Sequence, residues 1–349
     1  MPATMLEDAV PVQRPMPLPE ARGPVSDAVL RALQGAPGPL AEVVRDGLAA
    51  SPGILDDEDL QLALLLLYEQ HYGGLAGVDD RLEWDLALLS ARAELEAALE
   101  AALRAAVPMP ERPEPTAAAV AAALFDLTGR DDGPSLSRYV AKKATLEQLR
   151  EFLVQRSLYT LKEADPHSWA IPRLSATAKA ALVEIQADEY GGGRPQRMHS
   201  AIFAGTMRAA GLDDAYGAYV DLLPATTMAS LNTMSLFGLH RRLRGAIVGH
   251  LAAFEMTSSV PNRLYGAGFR RHGFDEHATW YFDEHVEADA VHEQIAAHDL
   301  AGALVAAEPA LLADVLFGAA ACLFVDGRVG EQMLAAWGEG RSSLRGPLP

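Results

Sequence analysis

The chain has 349 residues, with 29 lysines and arginines against 47 aspartates and glutamates, for a formal charge of −18. That balance argues against a nucleic-acid partner and an anionic membrane surface, both of which need a basic face, and suits a small or basic substrate. Half of the residues are hydrophobic but only 7% are aromatic, and much of the remainder is alanine, a composition of helix bundles rather than sheets.

The fold expected is therefore all-α. Residues 1–28 are rich in proline, with no basic segment followed by an apolar one, so they read as a disordered tail and not as an export signal. Residues 29–107 read as an N-terminal helical lobe. In it, 29–48 is helix-prone, Asp56, Asp57 and Glu58 open a helix with an apolar body over 60–68, and Gly73 and Gly74 close it. After the acidic stretch 78–85, a long Ala/Glu/Leu helix ends before Val107. Glu69 and His71 stand two apart at a helix end and do not share a face, which favours a structural or substrate contact over a metal. This lobe is expected to serve packing or dimerisation. Pro108, Pro110, Pro113 and Pro115 then make 108–115 a linker, since proline lacks the amide proton and clashes with the preceding turn.

Residues 116–345 form the second expected unit. Thr145 and Gln148 have the spacing of a capping box and start a helix ending near Asp165 and Pro166. Glu163 lies in its last turn on the face of Tyr159, Phe152 and Leu149, aimed at an apolar interior. The next helix, 175–190, carries Glu189 beside Leu182 and Ile185, and the run Gly191–Gly193 ends it. His199 follows, with Ile202 and Phe203 as helical neighbours, and reads as a core-facing imidazole. The longest helix is expected over 231–256, with Glu255 on a stripe with Leu251, Val248 and Phe237; Arg244 shares that stripe and is a possible salt-bridge partner. Residues 257–262 read as loop and 264–271 as a short helix. The apolar run 315–325 follows Asp314, is too short to span a bilayer without that charge, and reads as core.

Between these lies a stretch free of glycine and proline from 274 to 300. Within it His285, Asp289 and His292 are spaced i, i+4, i+7, so one helix face presents imidazole, carboxylate and imidazole. Four inward carboxylates, Glu163, Glu189, Glu255 and Asp289, would each cost several kcal/mol in a bundle without cations. Two divalent ions offset all four charges, and oxygen and imidazole donors without thiolate select iron or manganese. The lone cysteine, Cys322, excludes intrachain disulfides and thiolate metal sites and suits a reducing cytoplasm.

On these residues the chain resembles the haem-oxygenase-like diiron oxidases and oxygenases, also called iron-containing redox enzymes. Glu163, Glu189, His199, Glu255 and the triplet His285, Asp289, His292 match that family's ligand pattern in number, order and approximate spacing. The stretches ADEYGGGRPQRMH, FEMTSSVPN and EQHYGGLAGVDDRLEWD look like its members too, so the likeness covers most of the chain. The resemblance implies a haem-oxygenase-like bundle that holds two non-haem irons and uses O2. It implies an oxidase or oxygenase acting on a small amine- or carboxylate-bearing metabolite, by N-oxygenation or by desaturation and C–C cleavage. It also implies an external electron donor and a homodimer. Haem oxygenase itself needs one proximal histidine, so the surplus carboxylates argue against haem. Trp280, Tyr281 and Arg263 are candidates to line the substrate pocket, with core packing or a surface ion pair as the plainer reading of each. A ferroxidase, as in ferritins, expects Glu-x-x-His pairs on two helices. Here only Asp289 and His292 approximate one. A metal-free interaction module would leave the ligand candidates exposed.

Overall fold

The computed structural model describes residues 14–36, 38–130 and 134–349, with side chains throughout except at 287–290. Helices account for 73% of the chain, and the β pairing among the described residues is a single bridge between Met16 and Leu75.

Four helices come first: α1 (Pro24–Leu33), α2 (Leu40–Ala50), α3 (Glu58–Glu69) and α4 (Leu86–Ala106). The α3 helix starts where Asp57 accepts the amides of Asp59 and Leu60 at 3.0 Å each, and it is buried from Leu60 through Glu69. A helix apolar on nearly every side needs cover all round, and α1, α4 and the later α11 supply it. The chain expected to be a tail up to residue 28 is packed from Met16 onward. The Met16 side chain is fully buried, its amide donates to Gly74 O at 3.0 Å, and α1 has already begun at Pro24. Residues 1–13 lie outside the described residues.

Beyond the proline-rich connection come α5 (Ala117–Thr128), α6 (Leu136–Lys142), α7 (Leu146–Thr160), α8 (Asp165–Ser168), α9 (Ala176–Glu189), α10 (His199–Ala209) and α11 (Ala225–Leu239). They are followed by α12 (Arg244–Met256), α13 (Ser259–Arg271), α14 (Glu276–Gln294), a π-helical segment (Ile295–Gly302), α15 (Ala303–Ala307) and α16 (Leu312–Gly338). The capping box of α7 forms as expected, with Thr145 Oγ1 accepting from the Gln148 amide at 3.2 Å and Gln148 Oε1 accepting from the Thr145 amide at 3.0 Å.

Two expectations fail here for identifiable reasons. The helix expected over 231–256 is broken at His240, whose backbone is extended. Arg173 reaches in to donate to the carbonyls of Gly238 and Leu239, so the end of α11 is satisfied without continuing the helix. The supposed loop 257–262 is mostly helix, because α13 begins at Ser259 and Pro261 sits in its first turn, where the missing amide proton costs nothing.

The longest helix is α16, and by length and composition the segment Pro309–Gly338 could cross a membrane, contrary to the reading from 315–325 alone. It is a core helix, with 61% of its most apolar window buried. It crosses α12 at backbone distance. A Cβ added to Gly249 would collide with the Val315 carbonyl, and one added to Gly318 would collide with the Ala246 carbonyl. Glycine is the residue that permits this approach.

Candidate metal centre

Six of the seven expected site residues converge inside the bundle, and all six are buried. Glu163 does not sit in the last turn of α7, as its spacing suggested. The helix stops at Thr160, and Glu163 lies in the turn before α8, followed by Ala164 in the left-handed region at φ 76°. That conformation costs an alanine roughly 1 kcal/mol or more. The Ala164 carbonyl is held by the Gln186 side-chain amide at 2.8 Å, one turn before Glu189 on α9. The strained turn is what swings Glu163 inward.

Glu189 ends α9 and His199 begins α10, with the short 3-10 turns of the triple-glycine loop between them. Glu255 is in the last turn of α12, and His285 and His292 lie on α14. Ligand atoms of Glu163, Glu189, His199 and His285 all fall within 4.8 Å of one another, and so do those of Glu189, Glu255 and His292. Glu189 belongs to both groups. Asp289 is on the same helix, but its side chain lies outside the described residues.

Hydrogen bonding fixes how the imidazoles point. His285 Nδ1 donates to the Tyr281 carbonyl at 2.7 Å, so its Nε2 lone pair is the one that faces Glu163, 3.7 Å away. His292 Nε2 lies 3.1 Å from Asp188, which leaves Nδ1 facing Glu255 at 3.4 Å. Both arrangements match the common support of a metal-bound histidine, whose outer nitrogen donates to a carbonyl or carboxylate. Asp188 was missed in the sequence because its neighbour Glu189 carried the inward signal. Tyr281, read above as core packing, is buried and donates its hydroxyl to Glu163 Oε1 at 2.9 Å. Trp280 bonds instead to Glu284 at 2.8 Å, and Arg263 is exposed.

The electrostatics ask for a cation. Neither Glu163 nor Glu189 has a lysine or arginine partner among the described residues, and Arg244, once a possible partner of Glu255, pairs with Glu308. Glu163 Oε2 is buried with no hydrogen bond. His199 Nδ1 lies 2.8 Å from Glu189 Oε2 yet lacks hydrogen-bond alignment, as two donors aimed at one shared point would. Burial works to raise the Glu189 carboxyl, but His199, His285 and His292 outweigh it and hold it down at about 2. Burial likewise opposes the charge on His292, while Glu255, Asp188 and Glu189 push it up to about 9. Without an ion, protons on imidazole are the available counter-charge. Ligands of one first-row ion sit about 2 Å from it and so within roughly 4 Å of each other. The two overlapping groups are close to that span.

Residues 150–327 match the family of iron-containing redox enzymes, and the chain belongs to that family. No curated protein matches it. The matched span runs from α7 into α16 and includes all six converging residues. The chain is thus an all-helical iron-dependent oxidoreductase whose buried Glu/His cluster is compatible with iron.

Proposed function

We propose that the protein is a non-haem diiron oxidase or oxygenase that uses O2 on a small metabolite bearing an amine or carboxylate. The observation that carries this reading is Glu189, which is shared between two ligand groups and so is suited to bridge two ions. Glu163, His199 and His285 would complete one site, and Glu255 and His292 the other, with Asp289 assigned by the spacing of its helix alone. Bound iron supplies the redox chemistry with O2. The protein's own share is to hold the donors aimed, through Tyr281 on Glu163, the Tyr281 carbonyl on His285 and Asp188 on His292, and to close one side of the site with Tyr159 and Phe254. A turnover that consumes reducing equivalents would draw them from an external donor.

Anaerobic Fe(II) titration followed by exposure to O2 tests the proposal. Two equivalents per chain and O2 consumption without iron mineralisation are expected. A plateau at one equivalent, a preference for zinc with no O2 reactivity, or mineral formation as in a ferroxidase would overturn it.

A further inference from the structure

A cavity of about 400 Å³ lies on the other side of Tyr159 and Phe254 from the Glu/His cluster. These two rings, edge to face with centroids 5.3 Å apart, line both spaces and form the wall between them. The larger cavity mixes apolar walls, Phe152, Leu231, Met234 and Tyr265 among them, with polar ones such as Gln155, Thr227 and Ser230. Three charged side chains line it: Arg130, which pairs with Asp126, and Arg156 and Asp326, of opposite sign.

Arg156, on α7 one turn before Tyr159, lines the cavity with its guanidinium 5.3 Å from the Phe152 ring centre and 5.4 Å from that of Tyr265. It forms no ion pair among the described residues. Asp326, on α16, lines the same cavity, accepts the Ser230 hydroxyl at 2.7 Å and also has no lysine or arginine bound to it among the described residues. Burial lifts the Asp326 carboxyl above its usual range, with the Ser230 hydroxyl and Arg156 opposing. Arg156 and Asp326 feel each other's charge across the cavity, so a purely anionic ligand would draw Arg156 away from Asp326 and a purely cationic one would do the reverse, and either leaves one buried charge less compensated. A ligand that carries both charges on adjacent atoms and is neutral overall answers both.

We propose that this cavity binds a zwitterionic α-amino acid, its carboxylate on Arg156 and its ammonium on Asp326, with an apolar side chain directed toward Tyr159 and Phe254, on whose far side the Glu/His cluster lies. Arg156 lies in the last turns of α7 and Glu163 in the turn that follows it, so head group and cluster lie on opposite sides of the Tyr159 and Phe254 wall. That the bound amino acid is the substrate rests on the iron reading above; the binding site itself does not.

Three probes with one tail separate the head-group interactions: L-norleucine, hexanoate, which lacks the amine, and pentylamine, which lacks the carboxylate. Calorimetric titration on anaerobic iron-loaded protein should show norleucine binding at least about tenfold more tightly than either truncated probe, the size expected for a charge-assisted contact. Arg156→Gln should weaken norleucine and hexanoate but not pentylamine. Asp326→Asn should weaken norleucine and pentylamine but not hexanoate. Misfolding cannot produce that crossover. Equal affinity for all three probes, or no norleucine binding by protein that has taken up its iron, would overturn the amino-acid site and leave the metal reading standing. Norleucine binding with the crossover, in protein that takes up no iron, would uphold the site and overturn the metal reading instead.

Discussion

Replacing Lys162 with methionine offers a sharp test of how the first four helices are tied to the rest of the chain. Lys162 Nζ and Glu69 are both fully buried and ion-paired, and Tyr216 donates its hydroxyl to the same Glu69 oxygen at 2.8 Å. The ammonium also sits 4.0 Å from the centre of the Tyr72 ring. The second Glu69 oxygen has no hydrogen bond, so removal of the lysine leaves a buried carboxylate with one neutral donor. Breaking a buried pair from one side costs about 3–5 kcal/mol. The upper end is capped, because a glutamate can escape by taking a proton, which at neutral pH costs roughly 3.7 kcal/mol from its ordinary pKa. The expected loss for Lys162→Met is therefore about 3–4 kcal/mol at neutral pH, shrinking as the medium is acidified. The double variant Glu69→Leu with Lys162→Met removes both charges and should recover most of the loss. Urea denaturation followed by circular dichroism reads all three proteins. A single variant within 1 kcal/mol of the parent, or a double variant no better than the single, would refute the argument.

Tyr281→Phe removes the hydroxyl that holds Glu163 and should lower iron affinity about 10- to 100-fold with the fold intact; unchanged affinity in competition with a chelator would show that the bond is incidental. His167, buried against His250 and Phe254, is held down at about 4 by burial, with Glu189 partly opposing. Its folded value lies below the unfolded one near 6.5, so its contribution is complete above that pH and lost as pH falls toward 4, about 3 kcal/mol in all. Between about pH 7.5 and pH 5 the parent should lose about 2 kcal/mol more than His167→Phe, and equal losses in urea titrations would rule this out. Metal-free protein should exchange the amides of residues 282–295 faster than iron-loaded protein, since His285 and His292 would lose the ion that holds them. Equal protection in the two states would contradict it.

The parts of this molecule that were legible in the sequence are those set by local rules. Spacing alone placed His285 and His292 on one face of α14, and Glu189 and His199 were readable from their apolar neighbours. Glu163 was assigned to the interior correctly but for the wrong reason, because its direction comes from a left-handed Ala164 pinned by Gln186, and nothing local marks an alanine for that conformation. The break between α11 and α12 depends on Arg173, 65 residues away from the carbonyl it caps, and the pairing of Glu69 with Lys162 spans 93. Such long-range partners leave no periodic trace. Asp188 was overlooked, and Tyr281 was named only as a pocket-lining or core-packing candidate, for a related reason: each acts through a neighbour's ring or carboxylate and not by its own position on an apolar stripe.

The glycine crossing of α12 and α16 has a consequence for which molecules can fit. With backbone against backbone at Gly249 and Gly318, no side chain separates the helices at those two points, and the close contact there resists sliding or tilting of one helix on the other. Glu255 sits at the end of one helix and Asp326 on the other. The span from the carboxylate that faces the cavity to the carboxylate at the cluster is therefore a fixed length, a ruler made of main chain. If the cavity binds an amino acid as proposed above, that fixed span would make it discriminate by chain length, rejecting a side chain one methylene too long by collision. An alanine at Gly249 or Gly318 would not merely loosen the core; it would move the marks on the scale.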